Sequence, residues 1–352
     1  MSAIIKADLG QIVADGAIPW KKLDKTTILV TGGTGMIGAA LVRALSALRE
    51  AHRLDLSILA SGRNQEKAAP LVLGYGAEFW PWDVRQPPVL AAPVDYIFHG
   101  AAITASAVMA ARPATVALTG LQGTAAALEL ARVKGVRSMV FLSSVEVYGD
   151  TGPAADVSEN DLGRLDLSDP RSCYPESKRM GECLCHCYAA QYALPVKIAR
   201  LAQTFGAGAS PEDPRVFAQF ARSALTGRDI VLQTEGKSFG NYCYLSDAVR
   251  ALLLLLLKGE NGEAYNITNP AAGMTIREMA ETVAQKVCGG RIRVTTAIPA
   301  DRAALGYAAG GTGRLSAAKM AALGWEAAYG LAEMYERLLA DWLSWESLVG
   351  RA

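Results

Sequence analysis

The chain has 352 residues, 51% of them hydrophobic, and a formal net charge of +1, which is enough apolar material for a large core and two lobes. A charge so close to zero, with no block of Lys or Arg, argues against nucleic acid as a partner. The start, Met1-Ser2-Ala3-Ile4-Ile5-Lys6-Ala7-Asp8, lacks the apolar core of an export signal, and the longest apolar run, 251–257, falls far short of the roughly 20 residues that span a bilayer, so a cytoplasmic protein away from membranes is expected.

Residues 1–25 read as a strap that ends near Trp20. The apolar, partly β-branched run Thr27-Ile28-Leu29-Val30 reads as a buried parallel strand, and Thr31-Gly32-Gly33-Thr34-Gly35-Met36-Ile37-Gly38 follows it. Alanines and leucines at helical spacing come next, which gives strand, glycine turn and helix in the order a phosphate cradle requires. Gly32 permits the tight turn, Gly35 the close approach to a pyrophosphate, and Gly38 the packing of helix on strand, with Met36 and Ile37 opening the helix. Short apolar strands then recur at 56–60, 77–80, 96–99, 139–143 and 196–201 with helical stretches between several of them. This alternation predicts an α/β fold, a Rossmann-type doubly wound parallel sheet with a smaller α+β substrate lobe. The expected organisation is a dinucleotide-binding domain over 26–205 with a return segment near 240–265, and a substrate lobe built from 206–239 and 266–352. In that lobe, helices are expected at 215–225, 276–287 and 331–348, and a strand at 292–296.

Tyr174 and Lys178 stand four residues apart on a helix expected to run to about Tyr192, so they share one face. An ammonium beside a phenol would lower the pKa of a group that titrates near about 10 when free, making it a usable base. Of six cysteines, Cys183, Cys185 and Cys187 lie on the same helix beside His186. Cys185 points away from the other two, so the cluster is read as packing and no metal is assigned. Cys173 reads as a plain neighbour of Tyr174.

The order of these motifs, together with Trp82-Asp83-Val84, His99-Gly100-Ala101-Ala102, the run from Leu142 to Asp150, Arg200 to Gly206, and Asn241-Tyr242-Cys243-Tyr244-Leu245-Ser246-Asp247, resembles the extended short-chain dehydrogenase/reductase superfamily. Within it, the chain is most similar to nucleotide-sugar epimerases, dehydratases and decarboxylases, and residues 143–182 resemble the UDP-glucuronate decarboxylases. The resemblance implies that Tyr174 takes a proton from the sugar C4 hydroxyl while hydride leaves the same carbon for the nicotinamide of NAD(P). It implies that Lys178 holds the cofactor ribose, that Ser144 hydrogen-bonds the reacting oxygen, and that Asp83 accepts from the adenine amino group beside Val84, Ala101 and Ala102. Thr204, Arg215 and Asn241 fall at expected substrate positions, and helices around 115–133 and 176–192 are implied to form a homodimer interface; Leu118, Leu121, Leu128, Leu184 and Tyr188 suit that interface and an ordinary core equally.

The end of the second strand carries no carboxylate for ribose hydroxyls; Ser61 and Arg63 suit an extra phosphate, which favours NADP, although Arg63 could also stack on adenine. The residue before Glu146 is Val145, so no acid is present to protonate a leaving hydroxyl, and dehydration is disfavoured relative to decarboxylation or epimerisation. Glu146 then positions the sugar or carries a proton. Three positions depart from the family pattern. Gly120 replaces an Asn, Gly240 replaces a phosphate-gripping Arg, and the segment around Arg302 blurs a second one, leaving Arg215, Lys237, Arg302 or Arg314 to substitute. The alternatives are an NADPH-dependent reductase of another carbonyl compound and a non-catalytic cofactor sensor.

Overall fold

The computed structural model describes residues 1–152, 156–298 and 313–349. Arg302 lies outside the described residues. Its centre is a seven-stranded parallel sheet of β1 (Thr26–Thr31), β2 (Leu56–Gly62), β3 (Glu78–Pro81), β4 (Tyr96–His99), β5 (Ser138–Ser144), β6 (Val196–Leu201) and β7 (Ala264–Ile267). Their spatial order is β3-β2-β1-β4-β5-β6-β7. β1, β4, β5, β6 and β7 are buried along all or nearly all of their length, which accounts for apolar runs without alternation. The order reverses between β1 and β4, and a sheet of this kind opens its ligand crevice at the carboxyl ends of such strands.

Helices cover both faces, among them Met36–His52, Pro113–Lys134, Cys173–Tyr192 and Leu245–Lys258. Leu245–Lys258 buries every leucine of its apolar run in the main core cluster, so the run is a core helix. A second core gathers Phe205, Phe217, Phe220, Tyr242, Tyr335 and Trp342 in the smaller lobe. That lobe holds helix Val216–Thr226, a three-stranded sheet of Gln203–Phe205, Phe239–Tyr244 and Asn269–Thr275, and the last helix, Leu331–Val349. The helix expected over 276–287 is α-helical only through Thr282 and continues as a π-turn over Val283–Val287; the strand expected at 292–296 is Val294–Thr296. The first residues form helix Ala3–Val13, whose Ser2 N-cap accepts from the Ile5 amide. Among the described residues no helix is long and apolar enough to cross a membrane.

Gly120 and Gly240, two of the departures from the family pattern, stand in tight contacts. A side chain at Gly120 would place its Cβ 2.7 Å from Ser177 Oγ, on the helix that carries Tyr174. At Gly240 a Cβ would fall 2.4 Å from the Tyr242 hydroxyl. Neither position admits a larger residue without movement of its neighbour.

Candidate active site

The glycine loop closes over the end of β1. The Gly33 amide donates to Ser61 O at 2.9 Å and the Gly35 amide to Gly32 O at 2.9 Å. Gly32 has φ +70°, and a Cβ at Gly38 would lie 2.2 Å from Gly32 O, so both positions require glycine. Gly35 is the N-cap of Met36–His52 and offers no side-chain acceptor, which leaves the first amides of a long helix free for an anion. Ala101 follows β4 and donates its amide to Thr31 Oγ1 at 3.3 Å; Ala102 beside it is half-buried. Thr31 Oγ1 also lies 2.8 Å from His99 Nδ1, and burial holds that imidazole near a pKa of about 3, so it is neutral.

At the end of β2, Thr34, Arg63, Asn64 and Lys67 line an open hollow of about 410 Å³. Ser61 Oγ, near the end of β2, is buried and has no hydrogen-bond partner among the described residues. Asn64 caps helix Gln65–Tyr75 by accepting from the Lys67 amide, and this turn brings Lys67 beside Arg63. Lys67, absent from the sequence-derived site residues, stands at the third helical position after the Asn64 cap. An anion-binding helix end and a basic hollow at the carboxyl end of the sheet together fit a dinucleotide. Asp83 gives its carboxylate to Arg85 Nε at 2.9 and 3.1 Å, and this pairing holds it at a pKa of about 2. Val84 is buried and packs against Gly123.

Helix Cys173–Tyr192 presents Tyr174 and Lys178 to the end of β5, and both are buried. Lys178 Nζ donates to Leu142 O at 2.7 Å and sits 4.8 Å from the centre of the Phe141 ring, 5.9 Å from that of Tyr174. Burial lowers its pKa to about 8, with Glu182 opposing. Ser144 closes β5, accepts on its Oγ from the Glu146 amide at 3.2 Å and acts on the Tyr174 hydroxyl. The expected depression of the tyrosine by Lys178 is not what the structure gives. Burial, aided by the Glu146 charge, raises the Tyr174 pKa, while Ser144, Arg171 and Arg215 act to lower it. The ammonium is instead held by Leu142 and the Phe141 face.

Glu146 is bound by Arg171, whose Nη1 and Nη2 donate at 3.0 and 3.1 Å. The pairing spans 25 residues and leaves no local periodicity, so sequence spacing does not point to Arg171. Arg215 pairs with Asp213 at 3.0 Å, reaches Thr204 O at 3.3 Å and touches Met36 Sδ at 3.6 Å, so it ties the smaller lobe to the glycine loop. Thr204 is buried with its hydroxyl on Ala202 O at 3.0 Å. Asn241 is buried and braces the segment of Arg314, donating to Gly313 O and accepting from the Leu315 amide, each at 2.9 Å. Lys237 is exposed and paired with Glu235. Cys185 is buried whereas Cys183 and Cys187 are exposed, so the three thiols do not converge.

A parallel sheet with a glycine cradle at its reversal point and a buried Ser-Tyr-Lys set beside it defines a dinucleotide-dependent enzyme. The model of the NAD dependent epimerase/dehydratase family matches residues 28–268, and the chain belongs to that family. UDP-glucuronic acid decarboxylase 6 of Arabidopsis thaliana is 34% identical over 263 residues, covering 74% of each chain. UDP-glucuronic acid decarboxylase 1 of Xenopus tropicalis is 31% identical over 271 residues, 76% of this chain and 62% of that one. Among solved structures, the dTDP-glucose 4,6-dehydratase DesIV of Streptomyces venezuelae with NAD bound superposes with a TM-score of 0.75 at 25% identity, over 92% of this chain and 98% of the other. The UDP-glucose 4-epimerase of Thermotoga maritima gives a TM-score of 0.75 at 23% identity, over 90% and 99%, a likeness of fold.

Proposed function

We propose that this enzyme oxidises a nucleotide-linked sugar acid transiently at C4, removes its carboxyl group and reduces the resulting ketone. The observation that carries this reading is the contiguous set Ser144, Glu146, Arg171, Tyr174 and Lys178 at the end of β5, in a chain whose curated relatives include UDP-glucuronic acid decarboxylases. NAD(P), when bound, takes the hydride from C4 and later returns it. Gly32, Gly35, Met36, Ile37 and Gly38 would hold its diphosphate, with Asp83, Val84, Ala101 and Ala102 beside the adenosine side and Lys178 on the ribose. Ser144 orients the C4 oxygen toward Tyr174 Oη, which takes its proton. With C4 a ketone, the carboxylate on C5 is a β-keto acid: the C5–C6 bond breaks, carbon dioxide leaves, and its electron pair remains on C5, which takes up a proton. Tyr174 then gives its proton back to the C4 oxygen. Val145 before Glu146 supplies no acid for loss of water, in keeping with this course over dehydration.

The hollow formed by Thr34, Arg63, Asn64 and Lys67, together with the unpaired Ser61 hydroxyl on the same strand end, supports NADP over NAD. Arg215, which reaches the Thr204 carbonyl, would hold the nucleotide diphosphate of the substrate. A homodimer would use the helices Pro113–Lys134 and Cys173–Tyr192, where Leu118, Leu121 and Met180 are exposed, while Leu128 belongs to the core. The test is incubation of the purified enzyme with UDP-glucuronate, following carbon dioxide and UDP-pentose, with identification of the cofactor released on denaturation. Turnover that Tyr174→Phe reduces by about 10²-fold or more is expected. Consumption of added NADPH with another carbonyl compound, and no action on UDP-sugars, would favour the reductase instead.

A further inference from the structure

Arg171 has more donors than the structure uses. A guanidinium carries five N–H groups in one plane and can hold two planar anions on different edges. Glu146 occupies the edge formed by Nη1 and Nη2. Nε is buried and donates to nothing among the described residues. An unpaired buried donor is costly, on the order of 1–3 kcal/mol and more when charged, so such a group calls for an acceptor that the protein itself does not supply.

Arg171 stands three residues before Tyr174, and its charge and that of Glu146 both act on the tyrosine hydroxyl. The pair is not sealed in the core, since the Glu146 side chain is 34% exposed and that of Arg171 17%. The other guanidinium that acts on Tyr174 is Arg215, which is engaged by Asp213, the Thr204 carbonyl and Met36. Lys178 is fixed on Leu142 O. Arg171 is therefore the cation beside the reacting tyrosine that retains an unused edge.

We infer that Arg171 is the specificity-determining residue for a sugar acid: the C5 carboxylate of the substrate binds its Nε edge, while Glu146 holds the guanidinium plane from the other side. Two coplanar carboxylate oxygens match that fork, and a neutral hydroxymethyl group leaves it unpaired. The inference rests on the uronate reading above. Glu146 then has a defined part as the anchor of the arginine, which explains a carboxylate next to a substrate of the same charge.

The experiment compares the affinities of UDP-glucuronate and UDP-glucose for the purified holoenzyme by calorimetry, in the wild type, Arg171→Gln and Arg171→Lys. The preference of the wild type for the acid should fall at least tenfold in Arg171→Gln, with UDP-glucose binding changed by less than about twofold. Arg171→Lys should keep part of the preference, because charge is retained and the fork is lost. A merely structural arginine would weaken both ligands alike, and an unchanged ratio in either variant overturns the assignment. If Arg171→Gln does not fold, the ratio in Arg171→Lys decides alone, a fall of a few-fold supporting the fork and no fall rejecting it. Failure of the wild type to release carbon dioxide from UDP-glucuronate removes the uronate reading itself. Release by the wild type with unchanged ratios in the variants removes only the role of Arg171.

Discussion

Replacing Lys178 by methionine should separate what this side chain does for chemistry from what it does to the fold. The ammonium is buried, and its pKa falls from 10.5 to about 8, chiefly because burial disfavours the charged form. That burial cost corresponds to about 3 kcal/mol carried by the folded protein at pH 7. Against this stand the bond to Leu142 O, worth about 1 kcal/mol, and the contact with the Phe141 face, of similar size. Methionine fills nearly the same volume without the charge, so Lys178→Met should be more stable by about 1 kcal/mol at pH 7. The sign then depends on pH. Between about pH 8 and pH 10.5 the unfolded lysine binds more protons than the folded one, so the wild type gains stability as pH rises while the variant does not. Urea denaturation of both cofactor-free proteins across this range should show the advantage of the variant shrinking and then reversing. Turnover of the sugar substrate should be lost throughout. A variant that is less stable at pH 7, or a difference that stays flat with pH, would refute the argument that burial of the charge dominates at this position.

Arg63→Ala combined with Lys67→Ala should weaken NADPH binding by about 10- to 100-fold and leave NADH binding nearly unchanged, as fluorescence titration of the two cofactors would show; equal losses for both would place the hollow elsewhere in function. Gly38→Ala puts a methyl group 2.2 Å from a backbone carbonyl, so it should destabilise the protein by about 1–3 kcal/mol and abolish retention of cofactor through purification, checked by denaturation and by mass spectrometry of the released nucleotide.

The parts of the site that could be read from sequence are those set by local periodicity. A strand followed by glycines and a helix fixes the place of Gly32, Gly35 and Gly38, and a four-residue spacing puts Tyr174 and Lys178 on one face. Order along the chain supplied the doubly wound sheet for the same reason, because each βα unit announces itself within about 30 residues. What escaped depends on contacts between distant segments. The carbonyl that holds Lys178 is 36 residues away, which explains why the ammonium was expected on the phenol. Asn241 looks like a substrate residue in its motif, yet both ends of its amide meet backbone 72 and 74 residues later. The replacements at Gly120 and Gly240 seemed to be missing functional side chains and prove to be tight contacts with Ser177 and Tyr242.

Both ends of the chain lie outside the family-matched residues, and the structure shows why they bear on the site. The turn Gly206–Gly208 begins the segment that leads to Arg215, and its backbone is held from outside the sheet. Asp341 of the last helix accepts from the Gly208 amide at 2.7 Å and from Ser2, the cap of the first helix. Trp342 donates to Ala209 O at 2.8 Å. The Ala207 amide donates to the Tyr244 hydroxyl at 3.3 Å, and that hydroxyl donates to Asp8 at 2.9 Å, which Arg337 also binds. A buried network of this kind leaves few arrangements of the turn in which every donor is paired, because each broken contact strands a polar group away from water. The position of Arg215 against Met36 therefore follows from residues 2, 8, 337, 341 and 342 as well as from the sheet. The two terminal helices thus act together as one brace on the turn that leads to Arg215.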